Sequence, residues 1–214
     1  MKYEWKKHEK ELYSTKDKPS IITIPTQNFI MIDGKGNPNN DDFSERVGVL
    51  YSLAYAIKMK YKKLYSDSEQ AKQLDYSDFT VFPLEGVWTS SNPSNPLDKD
   101  SFVYTIMIKQ PDFITKEMFE AAYEDVKKKK PNLLLRHVIF EAIEKHECVQ
   151  ILHFGTFDSE PESFEKMYAF ANENQLERIN YYHREIYLTD ARKTAPEKRR
   201  TILRYQVKMS SNLK

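Results

Sequence analysis

Apolar and polar positions along the chain fall into two rhythms. Alternation with a period of two marks a strand, because successive strand side chains point to opposite faces; three-and-four spacing marks one stripe of a helix. The two-residue rhythm is clearest in His183-Arg184-Glu185-Ile186-Tyr187-Leu188. It puts His183, Glu185 and Tyr187 on one face and Arg184, Ile186 and Leu188 on the other, where Ile186 and Leu188 should meet a core. Glu185 then sits mid-strand between two aromatic residues. It is either solvated on an open sheet face or set at the floor of a cleft.

The same rhythm predicts a short edge-like strand at Ser20–Ile24, bracketed by Pro19 and Pro25, and a buried strand at Asn28–Asp33. Further strands are expected over Phe79–Thr89, Phe102–Gln110, Glu147–His153, Asn180–Leu188 and Thr201–Lys208. Helical spacing runs from Phe43 to about Lys62, with Val47, Leu50, Tyr51, Ala54, Ile57 and Lys58 on one stripe. A second helix is expected over 115–129 with Thr115 as its cap. A third spans Glu162–Asn174, with Ser159 or Ser163 capping. Residues 63–77 read as a polar loop and 132–144 as an apolar connecting segment. Gly34-Lys35-Gly36 lacks the Gly-Lys-Ser/Thr ending of a phosphate loop, so it reads as a turn needing positive φ.

Element order suggests a duplication. Residues 27–110 and 147–208 both run strand, turn, helix, strand, strand. The expected fold class is α+β: two β-α-β-β repeats with pseudo-twofold symmetry. Their antiparallel sheets should flank a central ligand cleft, with helices on the outer faces. A Lys-rich arm, residues 1–20, should precede a single domain at 21–209, whose repeats are joined by a helical connector at 114–144. Trp88 occupies in the first repeat the strand that Glu185 occupies in the second, so the two strands should lie near each other. Aromatic rings beside one buried carboxylate suit a flat, electron-poor or cationic ligand. A desolvated glutamate also has its pKa raised, which suits a general base near neutral pH.

Composition narrows the classes. The 33 basic and 32 acidic residues leave a net charge of +1, unlike the basic excess of a nucleic-acid binder. The run Lys127–Lys130 reads as a solvated helix end. One cysteine, Cys148, excludes an internal disulfide and any multi-cysteine metal site. His146, Glu147 and His153 form no compact ligand set, so neither metal nor cofactor is expected. No Gly-x-Ser-x-Gly elbow supports a serine nucleophile. Without a long apolar run or a secretory leader, a cytoplasmic chain is expected. The 14 Tyr, 12 Phe and 2 Trp favour aromatic surfaces with a polar handle.

Several stretches carry a resemblance: Gly34–Asn39, Pro83-Leu84-Glu85-Gly86-Val87-Trp88, Tyr104–Phe113, Gln150-Ile151-Leu152-His153, His183–Asp190 and Thr194–Lys198. In this order, from about residue 20 to 209, the chain resembles the GyrI-like small-molecule-binding proteins. The resemblance implies SHS2-like repeats around a groove that takes drug-like, often cationic aromatic compounds, with a buried glutamate meeting the ligand. Glu185 matches that glutamate. No helix-turn-helix candidate precedes residue 20, so the chain resembles stand-alone members. Some of these are similar to hydrolases that open the cyclopropane of DNA-alkylating cyclopropanoid natural products. The expectation is therefore Glu185 as general base, with Trp88, Tyr51, Tyr55, Tyr104, His183 and Tyr187 around the ligand. A sequestering or sensing module, or a regulator of a protein partner such as DNA gyrase, stays open as the alternative.

Overall fold

A computed structural model describes residues 1–13, 16–67 and 75–210. In chain order these form β1 (Lys2–Tyr3), α1 (Trp5–His8), β2 (Ser20–Ile24), β3 (Gln27–Lys35), α2 (Asp41–Asp67), β4 (Asp78–Phe79), β5 (Leu84–Ser90) and β6 (Phe102–Gln110). They continue as α3 (Lys116–Lys129), β7 (Ile139–Ile143), β8 (His146–Phe154), α4 (Glu160–Glu173), β9 (Leu176–Arg178), β10 (His183–Tyr187) and β11 (Arg200–Met209). The class is α+β. The chain divides into two compact units, one of residues 1–9, 27–84 and 90–143, the other of 10–26, 85–89 and 144–214.

The first unit has β3 at the centre of an antiparallel β6-β3-β7 ladder. Successive residues of β3 point to opposite faces, and Phe29, Ile30, Met31 and Ile32 are all buried, so they form an unbroken apolar run. Helix α2 packs against α3 and against β3 and β6. Its buried stripe is Val49, Leu50, Leu53, Ala54, Ile57 and Tyr61, turned slightly from the predicted one. Lys58 lies at the flank because its ammonium pairs with Asp78 at 3.0 Å. Thr115 caps α3, its hydroxyl accepting from the Met118 N–H.

Four local expectations change. The predicted 79–89 strand is two pieces, because Pro83 has no N–H to offer a ladder. The 114–144 connector is not helical throughout: Ile139–Ile143 is a strand on the edge of β3. The expected loop at 63–77 is helical to Asp67, and its positions 68–74 lie outside the described residues. Gly34 is a strand position opposite Tyr104, whose ring lies where a Cβ would be; of these two glycines it is Gly36 that takes positive φ, at 93°.

The second unit is an antiparallel sheet in the order β2-β8-β11-β10-β5, with β9 added at the far end of β11. Alternation sorts its side chains onto two faces. On one, Val149 and Ile151 of β8 and Leu203, Tyr205 and Val207 of β11 meet Met167 and Ala171 of α4. On the other lie Ile186, Ile202 and Leu152, with four buried polar side chains among them. Arg184 pairs with Glu85, its Nε 2.6 Å from Oε2. Arg204 donates to Gln150 Oε1 at 3.0 Å and to the Leu12 carbonyl, so the chain before β2 is pinned to the sheet.

Candidate functional site

The site grows from β10 in the second unit. Its alternation puts His183, Glu185 and Tyr187 on the same face as α4. Register with β5 places Trp88 opposite His183 and Gly86 opposite Glu185. Glu185 is 8% exposed, so it is neither solvated nor apolar in its surroundings. Its carboxylate gathers donors. His183 Nε2 lies 2.9 Å from Glu185 Oε1. The Tyr187 hydroxyl donates to the same carboxylate and accepts in turn from the Trp88 indole N–H at 2.9 Å. A hydrogen-bonded row thus runs from the Trp88 indole through the Tyr187 phenol to Glu185, with His183 closing the other side.

Gly86 makes this row possible. A Cβ at that position would lie 2.3 Å from Trp88 Nε1 and 3.1 Å from the Tyr187 hydroxyl. Its absence lets the indole lie flat over the strand and reach the phenol.

A second carboxyl group, outside the set expected from the sequence, completes the site. Glu160 opens α4, two residues before the predicted helix start, and is buried. Ser163 does not cap the helix; its hydroxyl pairs with His153 Nδ1 at 2.9 Å. Burial, then the charge of Glu185 and a hydrogen bond to it, then the charge of Asp158, hold the Glu160 carboxyl well above the usual carboxylate range. Burial, followed by the charges of Glu185 and Glu160, likewise raises the Tyr187 phenol. Donor atoms of Glu160, His183 and Glu185 all lie within 4.8 Å of one another, a tighter acid-imidazole grouping than expected from His146, Glu147 and His153.

Aromatic rings wall this group. Phe164 stands edge-on to the His183 ring at 4.9 Å, and Phe157 edge-on to Tyr187 at 5.8 Å. Neither phenylalanine is distinguishable by spacing from an ordinary core residue. The other sequence candidates belong to the first unit. Tyr104 is buried there, its ring over Gly34 and edge-on to Phe43 at 5.2 Å, so it serves that unit's packing. Tyr51 and Tyr55 lie side by side on α2, with Tyr55 55% exposed. A pocket of about 430 Å³ elsewhere in the second unit, lined by Tyr168, Arg178 and Tyr205 among others, holds none of these carboxyl groups.

The model of the GyrI-like small molecule binding domain matches residues 17–208. The chain belongs to the GyrI-like family. Solved relatives agree closely with this GyrI-like chain. An uncharacterized conserved protein from Listeria innocua is 39% identical, with a TM-score of 0.85, over 96% of this chain and 100% of that one. A hydrolase from the same organism is 38% identical, with a TM-score of 0.81, over 96% and 100%. The C-terminal domain of EcmrR, 12% identical with a TM-score of 0.52 over 90% and 98%, shares the fold alone. No curated protein matches the chain. Among the described residues, no helix is long and apolar enough to cross a membrane.

Proposed function

We propose that this GyrI-like chain is a hydrolase of reactive planar aromatic compounds, adding water to the cyclopropane of cyclopropanoid DNA-alkylating molecules and so detoxifying them. The observation that carries the reading is the setting of Glu185: a buried carboxylate fixed by His183 and Tyr187 beside the Trp88 indole. A base held in one orientation costs little further ordering when it acts. The family supports a small-molecule ligand, and the 38%-identical Listeria hydrolase supports turnover.

In this reading the ligand stacks on the aromatic wall and presents its strained ring to Glu185. Glu185 takes a proton from water as the water oxygen bonds to the cyclopropyl carbon. The carbon–carbon bond breaks, and its electron pair passes into the conjugated ring, whose carbonyl becomes a phenolate. Reprotonation of the phenolate balances the proton taken by Glu185, so the net change is addition of one water. General-base assistance supplies about 10²–10⁴-fold, with ring strain and stacking providing the rest.

The test mixes the protein with excess cyclopropanoid and follows the product by mass spectrometry. Hydrated product beyond one equivalent, lost in Glu185→Gln, supports the hydrolase. Bound but unchanged compound supports a sequestering module, and turnover undiminished in Glu185→Gln removes the assigned base.

A further inference from the structure

Two carboxyl groups held against each other away from water need a proton between them. Glu160 and Glu185 are such a pair: a carboxyl oxygen of each lies within 4.8 Å of the other, and both residues are more than nine-tenths buried. Their neighbours are few. From β10, His183 and Tyr187 are directed at Glu185. From the turn before α4, Asp158 adds a further negative charge near Glu160. From β8, His153 commits its ring nitrogens to Ser163 and to the Thr156 carbonyl at 2.9 Å, with Ser159 beside it. Donors therefore converge on Glu185, while the buried Oε1 of Glu160 has no hydrogen-bond partner among the described residues. An oxygen without donors is poorly placed to carry charge, whereas an oxygen ringed by donors is well placed to do so.

We propose that Glu160 and Glu185 work as one carboxyl pair holding a single proton, kept on Glu160 so that Glu185 remains the ionised group that accepts the proton of water. Resting on the hydrolase reading, this makes Glu160 a positioning residue: its O–H points the Glu185 carboxylate and spares it the repulsion of a second charge. Like charges in contact cannot both form at ordinary pH, and their titration belongs to the pair. Burial and the neighbouring charge, which raise the Glu160 carboxyl, act in the same direction. Loss of that proton would leave two adjoining carboxylates, misdirect Glu185 and slow the reaction at high pH.

The experiment has a turnover arm and a titration arm. Glutamine mimics a protonated carboxyl group, so Glu160→Gln should keep the hydration rate within about tenfold and lose the fall at high pH. Glu160→Ala should lose about 100-fold. Carbon-13 NMR of glutamate carboxyl groups in the wild-type protein should show one group still protonated at neutral pH, its signal missing in folded Glu160→Gln. Full ionisation of every glutamate at neutral pH, a stoichiometric metal ion in the purified protein, or a folded Glu160→Gln as inactive as Glu185→Gln would each overturn the proposal. If the wild-type chain hydrates no cyclopropanoid, the hydrolase reading fails, and the NMR titration alone still decides whether the pair holds its proton.

Discussion

Gly86 stands directly across from Glu185 in the ladder between β5 and β10, and the Trp88 indole occupies the space a side chain at Gly86 would fill. The approach is as close as 2.3 Å to a built Cβ, so Gly86→Ala must push the indole off the strand. Overpacking of this kind costs about 1–3 kcal/mol. It should also separate Trp88 Nε1 from the Tyr187 hydroxyl. Denaturant unfolding should show the lost stability, and tryptophan emission in the folded variant should shift. Unchanged emission and stability would mean that the indole does not lie over this glycine.

Tyr187→Phe isolates the hydrogen-bonded row from its packing. The ring stays, but the Trp88 N–H, in a side chain only 6% exposed, loses its acceptor and Glu185 loses a donor. Loss of a buried hydrogen bond costs about 0.5–1.5 kcal/mol. The expected outcome is a lower denaturation midpoint at unchanged m-value, checked by urea titration. A variant as stable as the parent would show that solvent or another group satisfies the indole.

What could be read before the structure, and what could not, divides along sequence distance. The period-two pattern of residues 183–188 is local, and it correctly puts His183, Glu185 and Tyr187 on one face, with Ile186 in a core. The order of elements put the strand carrying Trp88 near that of Glu185, and β5 does pair with β10. Glu160 was hidden because an acidic residue in a helix's first turn is ordinary, favoured by the helix dipole wherever it is exposed. Only the placement of α4 over the sheet buries it. The pairing of Arg184 with Glu85 was hidden for a different reason: it joins residues 99 apart and follows from strand register, which no local pattern encodes. Ile139–Ile143 was missed because a short, half-exposed edge strand resembles a linker until its partner is known.

That ion pair carries its own prediction. Glu85 is fully buried, and Arg184 is its charge partner through Nε and Nη2. Removing one member of a buried pair strands the other charge and costs about 3–5 kcal/mol, more than the pair itself contributes. Arg184→Met should therefore destabilise strongly. Arg184→Met combined with Glu85→Leu should regain much of the loss, since an apolar pair of similar volume leaves no charge behind. Thermal melts of the single and double variants test this. A double variant no more stable than Arg184→Met would show that packing, not the stranded charge, sets the cost.

Cys148 is buried on β8, and burial pushes its thiol up to about 11. The thiolate is the reactive form, so its population in the folded protein at mildly alkaline pH is small, and access is closed as well. Alkylation by iodoacetamide should be slow in the native protein and fast in urea, followed by mass spectrometry. Rapid labelling without denaturant would show that the strand opens on the time scale of the reaction.

The raised Glu160 carboxyl also predicts how stability depends on pH. In the unfolded chain this group returns to its ordinary value, about 4.5, whereas in the fold burial and the Glu185 charge hold it well above. Below the unfolded value the group is neutral in both states, and its contribution to folding is whole. As pH rises between the two values the unfolded chain releases the proton while the folded chain keeps it, so stability falls by up to about 1.4 kcal/mol per pH unit. The decline ends once pH passes the folded value and both states are ionised. Glu160→Gln has no proton to lose and should escape this term. Unfolding free energies of parent and variant, measured as a pH series from the acid side upward, should therefore diverge in favour of the variant as pH rises. Parallel curves would mean that Glu160 titrates as an ordinary glutamate in the folded protein.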